Sequence, residues 1–372
     1  MYNKSSDDQM SPVHFCMNTD KLRRFRILFK RVFILITLFS ILSLIITAFL
    51  FMYYFGRNDL DPNEIALSYV DIDSSKYPRN NVQFLSAKNT LQGYIYGENN
   101  GKGLIVIAHG IASGADSYLA EIMYFVDNGW RVFAFDGTGT RSSGGDGIKG
   151  LPQTKLDLLA ALSYIAQKQD LSDIPIVLYG HSMGGYAVTA GLKDNAYNIK
   201  AVVCVSAFNS TIDTMYYNLK SYVGFYAFIE YPFMWIYQNI LFGKDANITA
   251  VEGINSVNIP IMIIYGTEDD VIPYDKIGIY TYCNQITNPY VSFVFVSEKG
   301  RNWHDTMHLS QDAGLYTQEK RYELLSLKKQ YGTPLPNDIF ESFITNVDNK
   351  KMNAVDKEYM DNILKFIDTS MH

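Results

Sequence analysis

Cysteine is scarce in this chain: three in 372 residues, at positions 16, 204 and 283, with no C-x-x-C pair. That argues against both a disulfide framework and a zinc site. Cys204 sits inside an apolar run and reads as a small core residue. Charge is thin as well, at 19% Asp, Glu, Lys and Arg with a net −6. No basic stripe lies outside the N-terminus, so nothing in the sequence suits nucleic acid. Repeats and low-complexity tracts are also missing, which excludes a solenoid and leaves one large domain or two, plus an attachment.

The chain does have a long uncharged stretch, residues 32–55, preceded by Lys21, Arg23, Arg24, Arg26, Lys30 and Arg31. About 20 helical residues cross a bilayer core, so the run is long enough to span one. A cleaved signal peptide would have a shorter apolar core, a shorter leader and a small-x-small cleavage site, and all three are missing. A soluble core helix would need polar residues on one face. Six basic residues precede the run, whereas Arg57, Asp59, Asp61 and Glu64 follow it. This asymmetry predicts a cytosolic N-terminus and a catalytic part outside the cytosol. Tyr53 and Tyr54 fit the outer aromatic belt. The expected organisation is a cytosolic basic segment at 1–31, whose polar first twenty residues should lack a fold. A transmembrane helix at 32–55, a linker and lead-in at 56–81, and a catalytic domain at 82–372 follow.

Within that domain short apolar runs alternate with helical periodicity. Residues 82–85 and 91–96 resemble an antiparallel edge pair. Residues 104–108, 131–135, 176–179, 201–205, 261–265 and 291–296 read as strands, with helices at 118–128, 151–168 and 356–367. Strands alternating with helices imply a mostly parallel sheet covered on both faces. The run at 176–179 leads into Gly180-His181-Ser182-Met183-Gly184, with a helix expected over 186–193. Strand, Gly-x-Ser-x-Gly, helix is the order of a nucleophile elbow. Gly180 and Gly184 are required there because a side chain at either would crowd the turn.

These motifs, with His109-Gly110, Asp136-Gly137-Thr138-Gly139 and Gly266-Thr267-Glu268-Asp269-Asp270-Val271-Ile272-Pro273, resemble the α/β-hydrolase superfamily. The likeness is to its serine aminopeptidase and monoacylglycerol-lipase-like branch, from about residue 82 to the end. It implies an α/β-hydrolase fold with a helical lid, preceded here by one transmembrane helix.

A serine hydroxyl needs an adjacent base to attack. Of six histidines, His14 lies before the anchor, His372 is terminal, His109 belongs to an earlier loop and His181 should point away along the turn. His304 and His308 remain. The resemblance places the base a short loop beyond the last strand and favours His304, while His308 reads as a surface or loop histidine. The same likeness makes Asp269 the acid, with Asp270 a solvated loop carboxylate, and gives the chain order Ser182, Asp269, His304. Oxyanion donors are expected at the amides of Met183 and Ile111. His109 can be read as a brace for that loop, and residues 136–139 as a structural turn beneath the site.

Residues 208–258 interrupt the alternation and are dense in aromatics. They read equally as an apolar lid over an acyl pocket or as ordinary helix packing. Residues 314–350 are a more polar insertion. Asn209-Ser210-Thr211 and Asn247-Ile248-Thr249 fit glycosylation acceptors in a eukaryotic source. The resulting expectation is a membrane-anchored serine hydrolase of a small-molecule acyl ester, thioester or amide, with no metal or organic cofactor. The alternatives are a serine peptidase, a soluble acyltransferase, or a non-catalytic binding protein on the same fold.

Overall fold

The computed structural model describes residues 19–194 and 196–371, so His14, Cys16 and His372 fall outside it. Eight strands form one sheet: β1 (Arg79–Ser86), β2 (Asn89–Tyr96), β3 (Leu104–Ala108), β4 (Arg131–Phe135), β5 (Ile176–His181), β6 (Ile199–Val205), β7 (Ile261–Gly266) and β8 (Val291–Val296). Their spatial order is β1-β2-β4-β3-β5-β6-β7-β8. The two pairings of β2 are antiparallel, and β4 through β8 run parallel. The helices are α1 (Thr19–Tyr54), α2 (Leu119–Asp127), α3 (Pro152–Ala166), α4 (Met183–Ala190), α5 (Thr211–Val223), α6 (Tyr226–Phe242), α7 (Ala250–Ile254), α8 (Gln311–Tyr331), α9 (Asn337–Ile344), α10 (Asn349–Met352) and α11 (Lys357–Thr369).

All of β3 is buried, and the strand period divides its side chains between two layers. Leu104, Val106 and Ala108 pack with α3, α4 and α7. Ile105 and Ile107 pack with α2 and α11. This is the helix-flanked, mostly parallel sheet that the sequence implied. A third, smaller core (Leu324, Leu335, Phe343 and Met352 with Ile65) lies under the polar insertion.

Three local features depart from the sequence reading. Helix α4 begins at Met183, directly after the serine, rather than at residue 186. Asn209 is 5% exposed, and its side-chain oxygen accepts from the Val251 amide at 3.0 Å. It is a packing residue, closed to a glycan, whereas Asn247 is exposed. Residues 56–58, expected as linker, are bound to the loop after β4. Gly56 bridges Gly147 and Asn58 bridges Thr140. Arg57 donates to the carbonyls of Arg141, Ser143 and Gly145. Helix α1 therefore enters the domain without a free tether.

Helix α1 is long and apolar enough to cross a membrane. Most of its large side chains are exposed, but Ser43 (2%), Thr47 (1%) and Phe51 (3%) are buried. Their i, i+4 spacing makes one stripe, and two of the three are small enough to let another helix approach closely. That helix is α6: Ser43 Oγ donates to Glu230 Oε1 at 3.1 Å, and Phe51 meets Tyr237 edge-on at 4.9 Å.

Helices α5 and α6 form the excursion between β6 and β7. Its far end is fixed by Lys155 of α3, fully buried, which pairs with Asp245 at 2.7 Å and Asp194 at 2.6 Å. The opposite side of this hairpin presents Tyr222, Phe225, Tyr226, Phe228 and Ile240 to the exterior.

Candidate active site

Strand β5 delivers the chain to Ser182 at φ 56°, ψ −116°, a conformation an L residue rarely adopts. Its neighbours must be glycine for steric reasons. A Cβ at Gly180 would lie 2.3 Å from the Gly184 carbonyl oxygen, and one at Gly184 would lie 1.9 Å from that of Ala108. The turn is so tight that it presses α4 against both β3 and β5. Met183 is the first residue of α4, so its amide has no acceptor within the helix. The loop after β3 passes close by: a Cβ at Gly110 would be 3.4 Å from Ser182 Cβ. Ile111, the next residue, faces the same space.

Strand β7 ends at Gly266, and the following loop carries Asp269. Its Oδ1 accepts from the amides of Val271 and Ile272 at 3.0 and 2.8 Å. Its Oδ2 meets His304 Nδ1 at 2.8 Å. With a carboxylate on Nδ1, that nitrogen carries the proton and Nε2 is left as the acceptor. Burial by itself would lower the His304 pKa. The hydrogen bond to Asp269 and its charge, helped by Asp305 and Asp270, outweigh burial and raise it above the ordinary histidine value. Asp270 is exposed. His308 faces a different carboxylate, Glu121 of α2, with Nδ1 3.6 Å from Oε1.

His181 has a place that the sequence did not reveal. Its Nε2 lies 2.9 Å from the His304 carbonyl oxygen, and its Nδ1 lies 2.9 Å from the Tyr118 hydroxyl. Tyr118 in turn accepts from the Gly110 amide at 2.9 Å. One ring thus ties the loop carrying His304 to the loop carrying Ile111. Burial, reinforced by the neighbouring His304 charge, pushes the His181 pKa down to about 4, so the ring stays neutral. With Nε2 donating to the carbonyl, Nδ1 is the acceptor for tyrosine. Adjacency to Ser182 was the only signal in the sequence; the carbonyl it serves lies 123 residues away. The ligand atoms of His181, His304 and Asp305 fall within 4.8 Å of one another. Both ring nitrogens of His181 are engaged, and Asp305 pairs with Arg321 at 3.0 Å. The cluster therefore works as a hydrogen-bonded support rather than a cation cage.

His109 braces the opposite wall. Its Nε2 accepts from the Gly137 amide at 2.9 Å, and Nδ1 sits 2.7 Å from the Gly110 carbonyl. Asp136 accepts from the Ala115 amide and from the Tyr94 hydroxyl, and Asp157 holds Thr138 through both its amide and its hydroxyl. Burial raises both carboxyl pKa values. Residues 136–139 are thus the floor of the site.

Ser182, Ile111 and Val271 stand where two cavities meet. One, about 430 Å³, has a mixed lining and is the more polar of the two, with His181, His304, Asp305 and Glu121 in its wall. The other, about 280 Å³, is almost wholly apolar and runs between the α5–α6 hairpin and the end of α1. The hairpin therefore walls the apolar cavity beside Ser182, with Met215 and Leu219 from α5 and Met234 from α6 in its lining.

Residues 99–235 match the family model described as serine aminopeptidase, S33. The chain is similar to the uncharacterized protein YfhR of Escherichia coli O157:H7, 26% identical over 206 residues, covering 52% of this chain. The chain spans 64% of that curated relative's length. Among solved structures, the esterase Pf2001 of Pyrococcus furiosus superposes with a TM-score of 0.51 at 19% identity, covering 74% of this chain and 98% of that one. An alpha-beta hydrolase from Vibrio vulnificus superposes at 0.52 with 15% identity, covering 76% and 93%.

Proposed function

From the premise that this chain is an α/β-hydrolase by fold, we propose that it is a serine hydrolase of carboxylic esters. The observation that carries the reading is the position of Ser182: an elbow serine at the junction of a mixed chamber that holds His304 and an almost wholly apolar one. An ester has the same division, with an acyl chain on one side of its carbonyl and an alcohol on the other.

In this reading Ser182 Oγ attacks the carbonyl carbon while His304 Nε2 takes its proton. Asp269 holds the ring in the required tautomer and stabilises its charged form. The tetrahedral oxygen accepts from the amides of Met183 and Ile111, each worth roughly 3 kcal/mol of barrier. Collapse expels the alcohol, which takes the proton back from His304. Water, deprotonated by the same nitrogen, then attacks the acyl group on Ser182 and releases the acid. The esterase Pf2001, similar in fold, and the apolar lining of the acyl side support esters as the substrate class.

Labelling with a fluorophosphonate probe tests the nucleophile: the wild-type protein reacts and Ser182→Ala does not. A p-nitrophenyl ester series run beside aminoacyl anilides tests the substrate class. Faster cleavage of an anilide than of any ester would move the protein to the peptidase side. The α1 span, with six basic residues just ahead of its apolar run and Arg57 beside Asp59, Asp61 and Glu64 after it, supports a cytosolic N-terminus and a catalytic domain outside the cytosol. Digestion of a tag at Met1 by protease added to intact cells, with a tag at His372 protected, would reverse that orientation.

A further inference from the structure

We propose that the last two turns of α1 are a wall of the acyl-binding site, so that the helix able to cross the membrane also selects the substrate's acyl chain. The proposal rests on the ester-hydrolase reading of Ser182 and adds to it the element that measures the chain.

Thr47, Leu50, Phe51 and Tyr54 line the apolar cavity that opens at Ser182. They come from one side of the helix, at i, i+3, i+4 and i+7, the spacing that keeps side chains on one face. The wall is held in place by three independent contacts. Phe51 packs edge-on against Tyr237 of the lid. Ser43 binds Glu230 four residues ahead of the stripe's first cavity member. Beyond the helix, the Phe55 carbonyl accepts from the Lys149 amide at 3.1 Å and Gly56 bridges Gly147. A flexible anchor needs none of these contacts, and a cavity wall needs all of them, because a wall that drifted would leave the cavity open to solvent.

The same positions fix where the chain comes from. From residue 32 on, the faces of α1 not turned to the lid are exposed and largely apolar, and the lid's outer aromatics (Tyr222, Phe225, Tyr226 and Phe228) extend that surface. A patch of this kind is stable against hydrocarbon and costly in water. An acyl chain dissolved in the bilayer can therefore reach the cavity along α1 without crossing water. The substrate class is an ester of a membrane-dissolved acyl chain, and the cavity of about 280 Å³ takes the part of that chain nearest the carbonyl.

The test uses the full chain in lipid nanodiscs. Leu50→Trp fills the cavity from the helix side. The ratio of specificity constants for ten-carbon over two-carbon p-nitrophenyl esters should fall about tenfold, the loss when roughly two methylenes find no room. Leu50→Ala should move the preferred length upward. Phe49→Ala, on the exposed side of the same turn, should leave the length profile as it is. In parallel, a diazirine-bearing fatty acid is photocrosslinked to Ser182→Ala, with the adduct mapped by mass spectrometry to residues 47–55. Crosslinking there without hydrolysis of any ester would end the hydrolase reading and keep the wall. Ser182-dependent hydrolysis would end the wall if the profile were unchanged in both Leu50 variants, and so would an adduct confined to other residues.

Discussion

The two cavities that meet at Ser182 are built on opposite principles. On the polar side, position is set atom by atom: Asp269 is fixed by three hydrogen bonds, and His181 bridges two loops through both ring nitrogens. On the apolar side, Met215, Leu219, Met234, Leu50 and Phe51 enclose a volume, and what they share is shape and hydrophobicity. Directional contacts fail when one atom is removed, because the buried partner is left unsatisfied. Dispersion and burial are non-directional, so a swap that keeps volume is absorbed. The polar side should therefore be brittle and the apolar side tolerant.

The sharpest break is expected at the reacting groups. Ser182→Ala and His304→Ala should each lower kcat by about a million-fold, whereas His308→Ala should keep most activity, measured on a short ester. Comparable losses at His308 would mean that Glu121, rather than Asp269, orients the base. Next in size is Asp269→Asn, which keeps the shape but supplies the wrong hydrogen-bonding group to Nδ1; a fall in kcat of about 10⁴ is expected. Asp270→Asn, exposed and one residue away, should stay within a few-fold of wild type.

The pH profile sharpens the same point. Protonated His304 cannot accept the serine proton, so activity should rise with pH through the histidine's pKa. Asp269 raises that pKa, which puts the acid limb of kcat/KM above the ~6.5 of a free histidine. A limb well below that value would show that the ion pair does not form in solution. The smallest effect belongs to the apolar side. Met215→Leu should cost under about 1.5 kcal/mol of stability and shift the chain-length profile only slightly, read by thermal unfolding and the ester series. A loss as large as at Asp269 would erase the contrast between the two sides.

Much of the polar side was legible because its constraints are local. Gly180 and Gly184 are needed by a turn only a few residues long, whereas the order Ser182, Asp269, His304 was implied by the resemblance to the hydrolase superfamily. Asp269 itself could be picked over Asp270 only by register with a family loop; the structure adds that Oδ1 caps two amides of its own loop. His181 was read only as pointing away from the serine, and the structure adds its partners, Tyr118 and the His304 carbonyl. A histidine next to the nucleophile gives no sign of its partner until the loop of His304 folds across it.

The sequence by itself determined the alternation of buried strands and helices, the elbow at Ser182 and an N-terminal helix of membrane-crossing length. Those depend on periodicity, steric exclusion and hydropathy, which act between near neighbours. Tertiary structure decided that residues 56–58 hold α1 against the domain instead of tethering it loosely. It also decided that Asn209 is buried, and that the aromatic excursion and α1 line one cavity with the serine. An apolar run has the same composition whether it faces lipid, core or an empty pocket. Only the packing of Ser43, Thr47 and Phe51 against α6 distinguishes these environments.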